Sequence, residues 1–291
     1  MKALISVVLG SYNRRRFLKT TLASIRENGI TVPYEMIVVD GGSTDGTIEH
    51  LVAQKDVIAI VQHNRGEWRG KPIERRSWGY FMNLAFKAAQ GKYVVMVSDD
   101  CLLVPGTVQN AYDEFEERLA RGDSLGALAF YWREWPSEAE YKVGRTLGGR
   151  MFVNHGMYLR RVVEEVGWCD EEHYRFYHAD ADLCLRIWRA GHRVEACESA
   201  YVEHFAHANV AIRQSNLDHE HGDWESLLER WRDIASETAG GDRGSWKTKS
   251  YEDPYQTART FERVRPKKFA RIPGTGLLRR AMRKALGKGA G

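Results

Sequence analysis

The chain is short of cysteine and proline, lacks any long apolar run, and carries no acidic residue over its last stretch. Its 291 residues include 4 Cys and 7 Pro. Cys101, Cys169, Cys184 and Cys197 form no C-x-x-C pair. They are expected to be buried free thiols in a reducing compartment rather than a disulfide framework. No run approaches the ~18 apolar residues of a membrane span. Ala3–Leu9 follows a lysine but is too short for a signal core, and Tyr12-Asn13-Arg14-Arg15-Arg16 follows it instead of a small-residue cleavage site. That run is expected to be a first strand, and the chain to be cytoplasmic. The loop after it reads Gly10-Ser11-Tyr12-Asn13-Arg14-Arg15. It lacks the G-x-G-x-x-G that a dinucleotide oxidoreductase needs there.

The missing acid is confined to the C-terminus. From Arg263 onward there are 10 Lys or Arg and no Asp or Glu, although the whole chain is only +4. The rest of the chain therefore has 33 basic against 39 acidic residues, a mildly acidic body. Gly276–Leu286 can form a short helix with Leu278, Met282 and Leu286 on one face, flanked by Arg279, Arg280, Arg283 and Lys284. Such a basic amphipathic tail (263–291) is expected to dock on an anionic membrane surface, with a solvated disordered tail as the alternative. No nucleic-acid partner is expected.

Short apolar runs alternate with amphipathic stretches in the first half. Strands are expected at Ile5–Leu9, Met36–Val39, Val57–Val61 and Tyr93–Val97, and helices at Arg15–Asn28, Thr47–Ala53 and Gly79–Ala89. The strands are apolar throughout, as strands buried on both faces are. This order implies an α/β fold with a mostly parallel sheet flanked by helices. The second half is less regular. Pro105–Arg121, Asp182–Ala190 and Asp223–Glu237 read as helices and Leu125–Trp132 as a strand, with Ser137–Gly149 as a loop and 238–262 as a poorly packed linker.

Polar clusters follow three of the strands, where ligands of open α/β sheets bind. Asp99 and Asp100 close the run Val97-Ser98-Asp99-Asp100. Adjacent carboxylates at a strand end suit a hard divalent cation, or else cap the next turn. In Asp40-Gly41-Gly42-Ser43-Thr44-Asp45-Gly46-Thr47, Asp40 can accept from a base or ribose and Asp45 can cap the following helix; a simple tight turn is the alternative. Asp180 and Asp182 precede a helix, so that one can cap it and the other is free for acid–base work. His204 follows another apolar stretch, where a histidine is either a ligand or an ordinary structural residue.

In this order the pieces resemble glycosyltransferase family 2. The resemblance rests on Ser6–Arg14, Val38–Thr47, Asn83-x-Ala85 with Gly91-Lys92-Tyr93-Val94, and Ser98-Asp99-Asp100. It continues through Arg160-Arg161-x5-Gly167-Trp168-x-Asp170-Glu171 and Asp180-x-Asp182-Leu183-x-Leu185-Arg186-x4-Gly191. It covers about residues 4–207 and implies a GT-A-type, Rossmann-like sheet with an acceptor-side α+β half. The implied plan is a donor half over about 1–104, an acceptor half over about 105–210, and a helical extension and linker over 211–262. By resemblance, Gly10, Ser11 and Tyr12 pack on the nucleotide base and Asp40 lies at the base-reading turn. Asp99 is near the donor ribose, and Asp100 holds a divalent cation (Mn2+ or Mg2+) with His204 as second ligand. Asp180 is the general base, and Met151–Tyr158 lines the acceptor.

The resemblance further implies an inverting transfer from a nucleoside-diphosphate sugar, of UDP or GDP type, to a glycan or lipid-linked acceptor. Three departures stand out. Gly41 occupies a position that is often acidic, Ser98 one that is often Asp, and Ser77 one where an arginine near the diphosphate is expected. Arg76 and the adjacent Arg75 are the candidates to substitute for it, Arg76 being the one assigned to the donor site. A nucleotidyltransferase on a related sheet, and a non-catalytic sugar-binding module, are the rival readings.

Overall fold

The computed structural model describes residues 2–205, 210–235 and 245–264; of 210–213 it describes the backbone alone. Residues 265–291, which carry the expected membrane-docking helix, lie outside the described part. The first half alternates as its apolar runs imply. The strands are β1 (Ile5–Ser11), β2 (Tyr34–Asp40) and β3 (Val57–Val61), a two-stranded hairpin β4–β5 (Glu67–Trp68, Lys71–Pro72), and β6 (Tyr93–Met96). Between them run α1 (Arg15–Arg26), α2 (Thr47–Ala53) and α3 (Trp78–Ala88).

β6, β1, β2 and β3 are parallel neighbours in that order. Ile5, Val7, Val8 and Leu9 of β1 and Tyr93–Met96 of β6 are fully covered, because helices pack on both faces. β3 departs from the expectation of double burial. It is the outer strand of the sheet and leaves Ile58 and Val61 exposed. α1 buries Phe17, Leu18, Thr21, Leu22 and Ile25, a stripe at helical spacing.

The second half adds β7 (Cys101–Leu103), α4 (Thr107–Ala120), β8 (Leu125–Glu134), β9 (Tyr141–Gly144), β10 (Gly156–Leu159), α5 (Arg160–Glu165), α6 (Ala179–Arg189), β11 (Arg193–His204), α7 (Val210–Leu217), α8 (Glu220–Arg230), α9 (Arg232–Ala235) and β12 (Trp246–Lys249). β10 enters antiparallel between β6 and β8, which makes the sheet mixed. β11 pairs parallel with β8 and antiparallel with β7.

Two expectations are corrected here. Ser137–Gly149 is not a free loop, since β9 pairs with β8 and β12 and buries Tyr141 and Val143. The stretch taken as a linker contains β12, and just past it Tyr251 stacks on Tyr201 with ring centroids 3.8 Å apart. Both strands are only four residues long, and β12 has a single apolar residue, too little pattern to register as a strand. Residues up to Ala258 form one compact unit, which runs past residue 210. Those from Arg259 form a second unit, whose described part is the short helix α10 (Thr260–Val264).

Candidate active site

β1 and β2 end side by side, with Ser11 opposite Asp40, and the chain leaving β6 reaches the same end of the sheet at Asp99. Gly10 is where α3 comes closest to β1, and a Cβ there would lie 3.1 Å from the Phe81 ring. Tyr12 lies against Gly41, whose added Cβ would meet the ring at 3.3 Å. A side chain at position 41 would crowd the Tyr12 ring, which would have to give by a few tenths of an ångström. The Arg65 guanidinium sits 5.3 Å from the Tyr12 ring centroid.

Asp40 is fully buried and spent on its own turn. One carboxylate oxygen accepts from the backbone N–H groups of Gly42 and Ser43 at 2.9 and 2.7 Å, and the other from the Ser43 hydroxyl at 2.6 Å. Gly42 has φ +89° and no room for a Cβ, which would fall 2.4 Å from His63 Nδ1. Asp45 accepts from the N–H of Thr47 at the start of α2 and from that of Arg15 at the start of α1.

Asp99 and Asp100 share a counter-ion. Arg14 Nη1 donates to Asp99 Oδ1 at 2.8 Å and to Asp100 Oδ2 at 2.7 Å, and the Ser11 hydroxyl donates to Asp99 Oδ2 at 2.8 Å. Burial works to raise both acids. Asp99 ends at about 6, because burial and the neighbouring Asp100 outweigh Arg14. At Asp100, Arg14 and His204 win and hold the carboxyl far below the usual range. Asp100 Oδ1 is buried and makes no hydrogen bond, and its neighbour there is the His204 imidazole. His204 Nε2 lies 3.4 Å from it, and His204 Nδ1 is likewise buried and unpartnered.

A buried polar atom that makes no hydrogen bond calls for an explanation, such as a role in binding an ion. A carboxylate oxygen and an imidazole nitrogen facing each other are a donor set that fits a divalent cation. Arg14 does not block it, because it occupies the other oxygen.

Cys101 and His155 complete the wall behind His204. β7 and β11 bring Cys101 opposite His204, and Cys101 Sγ lies 3.5 Å from His155 Nε2. Burial, with His204 next to it, pushes His155 down to about 3, so its imidazole is neutral. Asn154 precedes His155 and hydrogen-bonds Asp180. The Asn154-His155 dipeptide thus touches Asp180 on one side and Cys101 and His204 on the other. Its pKa is raised to about 6 by burial, tempered by the N–H of Ala181 at 2.9 Å. In the expected acceptor segment, Met157 and Tyr158 are fully covered. Met151, Phe152 and Asn154 keep some exposure.

Asp182 is not a helix cap. α6 begins three residues earlier, with His178 in the N-cap position at φ 66°, and Asp182 points into the protein. Arg76 is also displaced from its expected place. Its guanidinium is half exposed, 3.6 Å from Glu74 and over the Tyr80 ring. Arg75 instead turns inward, and it and Arg65 both donate to the Asn216 side-chain carbonyl. Among the described residues neither Arg65 nor Arg75 forms an ion pair with a carboxylate. Burial lowers both guanidinium pKa values, and at Arg75 the neighbouring Arg65 adds to it. Arg14, Arg65, Cys101 and His155 were given no role from the sequence, whereas Arg75 was named beside Arg76. Only Arg14 had a local signal, its place beside Tyr12-Asn13.

Ligand loops at the carboxyl ends of β1, β2 and β6, with an acidic pair after β6, define a GT-A-type α/β fold. Solved structures with this fold include a mannosyltransferase from Pyrobaculum calidifontis in complex with GDP-Man and Mn2+. It is 18% identical with TM-score 0.56, over 79% of this chain and 65% of that one. S. aureus TarS is 17% identical with TM-score 0.54, over 70% of this chain and 37% of that one. Residues 6–152 match Glycosyl transferase family 2, and the chain belongs to that family.

Among curated relatives, Escherichia coli chondroitin synthase is 27% identical over 128 residues, 43% of this chain and 17% of that protein. A putative teichuronic acid biosynthesis glycosyltransferase of Bacillus subtilis is 31% identical over 106 residues, 34% of this chain and 36% of that protein. The chain thus spans well under half the length of either. No helix among the described residues is long and apolar enough to cross a membrane.

Proposed function

We propose that this chain is an inverting, divalent-cation-dependent glycosyltransferase. It moves a sugar from a nucleoside-diphosphate donor to the hydroxyl of a glycan or lipid-linked acceptor in polysaccharide or related surface-glycan synthesis. The observation that carries the reading is the pairing of the buried Asp100 Oδ1, which makes no hydrogen bond, with His204 Nε2 at 3.4 Å at the carboxyl end of the sheet. The similarity to a chondroitin synthase and to a putative teichuronic acid biosynthesis glycosyltransferase, and to a neighbour solved with GDP-Man and Mn2+, supports it.

Tyr12, backed by Gly41, offers a flat face to the base. Arg65 and Arg75 offer positive charge without a competing carboxylate. Asp100 and His204 would hold the cation, and when bound it supplies charge neutralisation at the departing diphosphate. Asp180 accepts the proton of the acceptor hydroxyl as that oxygen bonds the anomeric carbon and the bond to the diphosphate breaks. A single base acting on an incoming hydroxyl, with no side chain assigned as nucleophile, gives direct displacement and inversion. A cytoplasmic location with the tail on the membrane surface belongs to the same proposal.

Calorimetric titration of UDP and GDP, with and without Mn2+, tests this. One nucleotide is expected to bind more tightly with the ion, and Asp100→Ala to lose the difference while keeping its circular dichroism. Metal-independent binding in the native protein, or an unchanged metal effect in the variant, would remove Asp100 from the site.

A further inference from the structure

Behind the face that Asp100 presents, three side chains of a different character converge. One ligand atom each from Cys101, His155 and His204 lie within 4.8 Å of one another, a grouping of metal-ligating side chains that no other residues form among those described. All three stand on strands or at their ends. Cys101 and His204 are fixed opposite each other in the β7–β11 ladder, and His155 directly precedes β10. Trp132 walls the cluster, its ring edge-on to both imidazoles at 6.0 and 5.5 Å. Cys101 is 0% and His155 4% exposed.

A packed core needs no thiol and two imidazoles at this point. Moreover, His204 Nδ1 is buried with no hydrogen-bond partner, which a purely structural histidine would not leave so. We propose that Cys101, His155 and His204 form a second metal site that takes a zinc-class ion and shares His204 with the site of the donor's cation.

The chemistry separates the two sites. Carboxylate and water oxygens suit Mg2+ and Mn2+, whereas thiolate and imidazole select zinc. The ligand atoms lie within 4.8 Å of one another, and an ion between them would draw them to zinc distances of about 2.0–2.3 Å. The Cys101 thiol proton passes to bulk buffer as the sulfur–metal bond forms. A neutral imidazole offers a single lone pair, so His204 serves one ion at a time. Zinc in the soft site therefore withdraws a ligand from the donor's cation and acts as an inhibitor. The sharing of His204 rests on the function proposed above; the soft site does not.

The test uses the full chain, stripped with a chelator, free of nucleotide, and titrated with Co2+ as a spectroscopic stand-in for zinc. A near-ultraviolet thiolate-to-cobalt band is expected, saturating at a single equivalent and bleached by zinc. Cobalt uptake without that band, or no uptake, overturns the site, and this readout requires no variant. Cys101→Ser should abolish the band and weaken zinc at least about tenfold in chelator competition, a loss seen even for outer-sphere partners; undiminished zinc affinity overturns the site as well. In a separate arm, zinc should weaken Mn2+-dependent UDP or GDP binding. If the cobalt band appears and zinc leaves nucleotide binding unchanged, the sharing of His204 is refuted. A cobalt band with no nucleotide binding at all refutes the donor reading alone.

Discussion

The indole Nε1 of Trp231 donates to Asp182 Oδ1 across 2.9 Å, and both residues are buried. The same carboxylate accepts from Tyr174 Oη at 3.1 Å and Arg186 Nε at 2.8 Å, and it pairs with Arg230 Nε at 3.1 Å. Asp182 is therefore the post to which the C-terminal helices are tied. Trp231 and Arg230 come from the end of α8, and Leu227 and Ile234 pack around them with Leu147 and Leu185.

This changes what its loss should do. A lost helix cap costs about 0.5–2 kcal/mol. Removing one side of a buried ion pair costs about 3–5 kcal/mol, less where the cations left behind reach water, as Arg186 and Arg230 do. Asp182→Ala is expected to cost about 3 kcal/mol and lower Tm by roughly 6–12 °C. Asp182→Asn, which keeps the neutral hydrogen bonds, should lose about half of that. Thermal denaturation by circular dichroism measures both. A loss near 1 kcal/mol for the alanine variant would return Asp182 to a capping role.

Much of the donor side could be read from the chain. α2 and β3 begin and end at the expected residues, and α1, α3 and β6 end within two residues of expectation. The apolar runs of β1, β2 and β6 are buried almost completely, so there composition and position carry the same message. The acceptor side was less legible because β9 and β12 are four residues each, too short to show a period, and β12 buries none of its residues. Asp99, Asp100, Asp180 and His204 stood out because each follows an apolar run or keeps motif order. Arg14 meets Asp99 and Asp100 across 85 and 86 residues. Cys101 meets His155 and His204 through strand pairing. Contacts of that kind are set by sheet topology and leave no local spacing to detect.

Arg14 should matter for stability in a pH-dependent way. With Arg14 in place, Asp100 titrates far below its unfolded value near 3.9, so its contribution is present above that pH and is lost in acid. Asp99, raised to about 6, costs stability as pH climbs from about 4 to about 6. Arg14→Ala removes the opposing charge, both carboxyl pKa values rise, and ionising them becomes costly. The variant should lose about 3 kcal/mol at pH near 8 and clearly less at pH near 5. Mn2+ should raise its Tm more than that of the native protein, because the ion becomes the remaining counter-charge. An equal deficit at both pH values, insensitive to Mn2+, would show that Arg14 acts by packing.

The two neighbouring arginines make opposite forecasts. Arg76 has Glu74 for company and faces solvent. Arg75 is turned in beside Arg65 without a carboxylate. A charge-assisted hydrogen bond contributes about 1.5–3 kcal/mol, so Arg75→Ala should weaken nucleoside-diphosphate binding by about tenfold or more. Arg76→Ala should change it less than about threefold, in line with an exposed pair. Isothermal titration of both variants, with Mn2+ present, decides between them. A larger loss for Arg76 would restore the assignment made from sequence position.

The last prediction concerns the base. Asp180 titrates at about 6 because burial disfavours its charged form. A general base must be deprotonated, so kcat/KM for the acceptor should be flat above about pH 7. It should fall about tenfold per pH unit well below pH 6. Asp99 titrates in the same range, so the acidic limb alone does not assign the group. The two separate by what they touch. Asp99, bonded to Ser11 and Arg14 on the donor side, should govern the pH dependence of nucleotide affinity. Asp180, linked to Asn154 on the acceptor side, should govern turnover. Asp180→Asn is expected to keep donor affinity with its pH dependence and to lose about two to four orders of magnitude in kcat. The residual activity should no longer show the limb near pH 6. If Asp180→Asn turns over at a native rate, or retains the acidic limb in kcat, the proton is taken by another group and Asp180 is a structural residue at the start of α6.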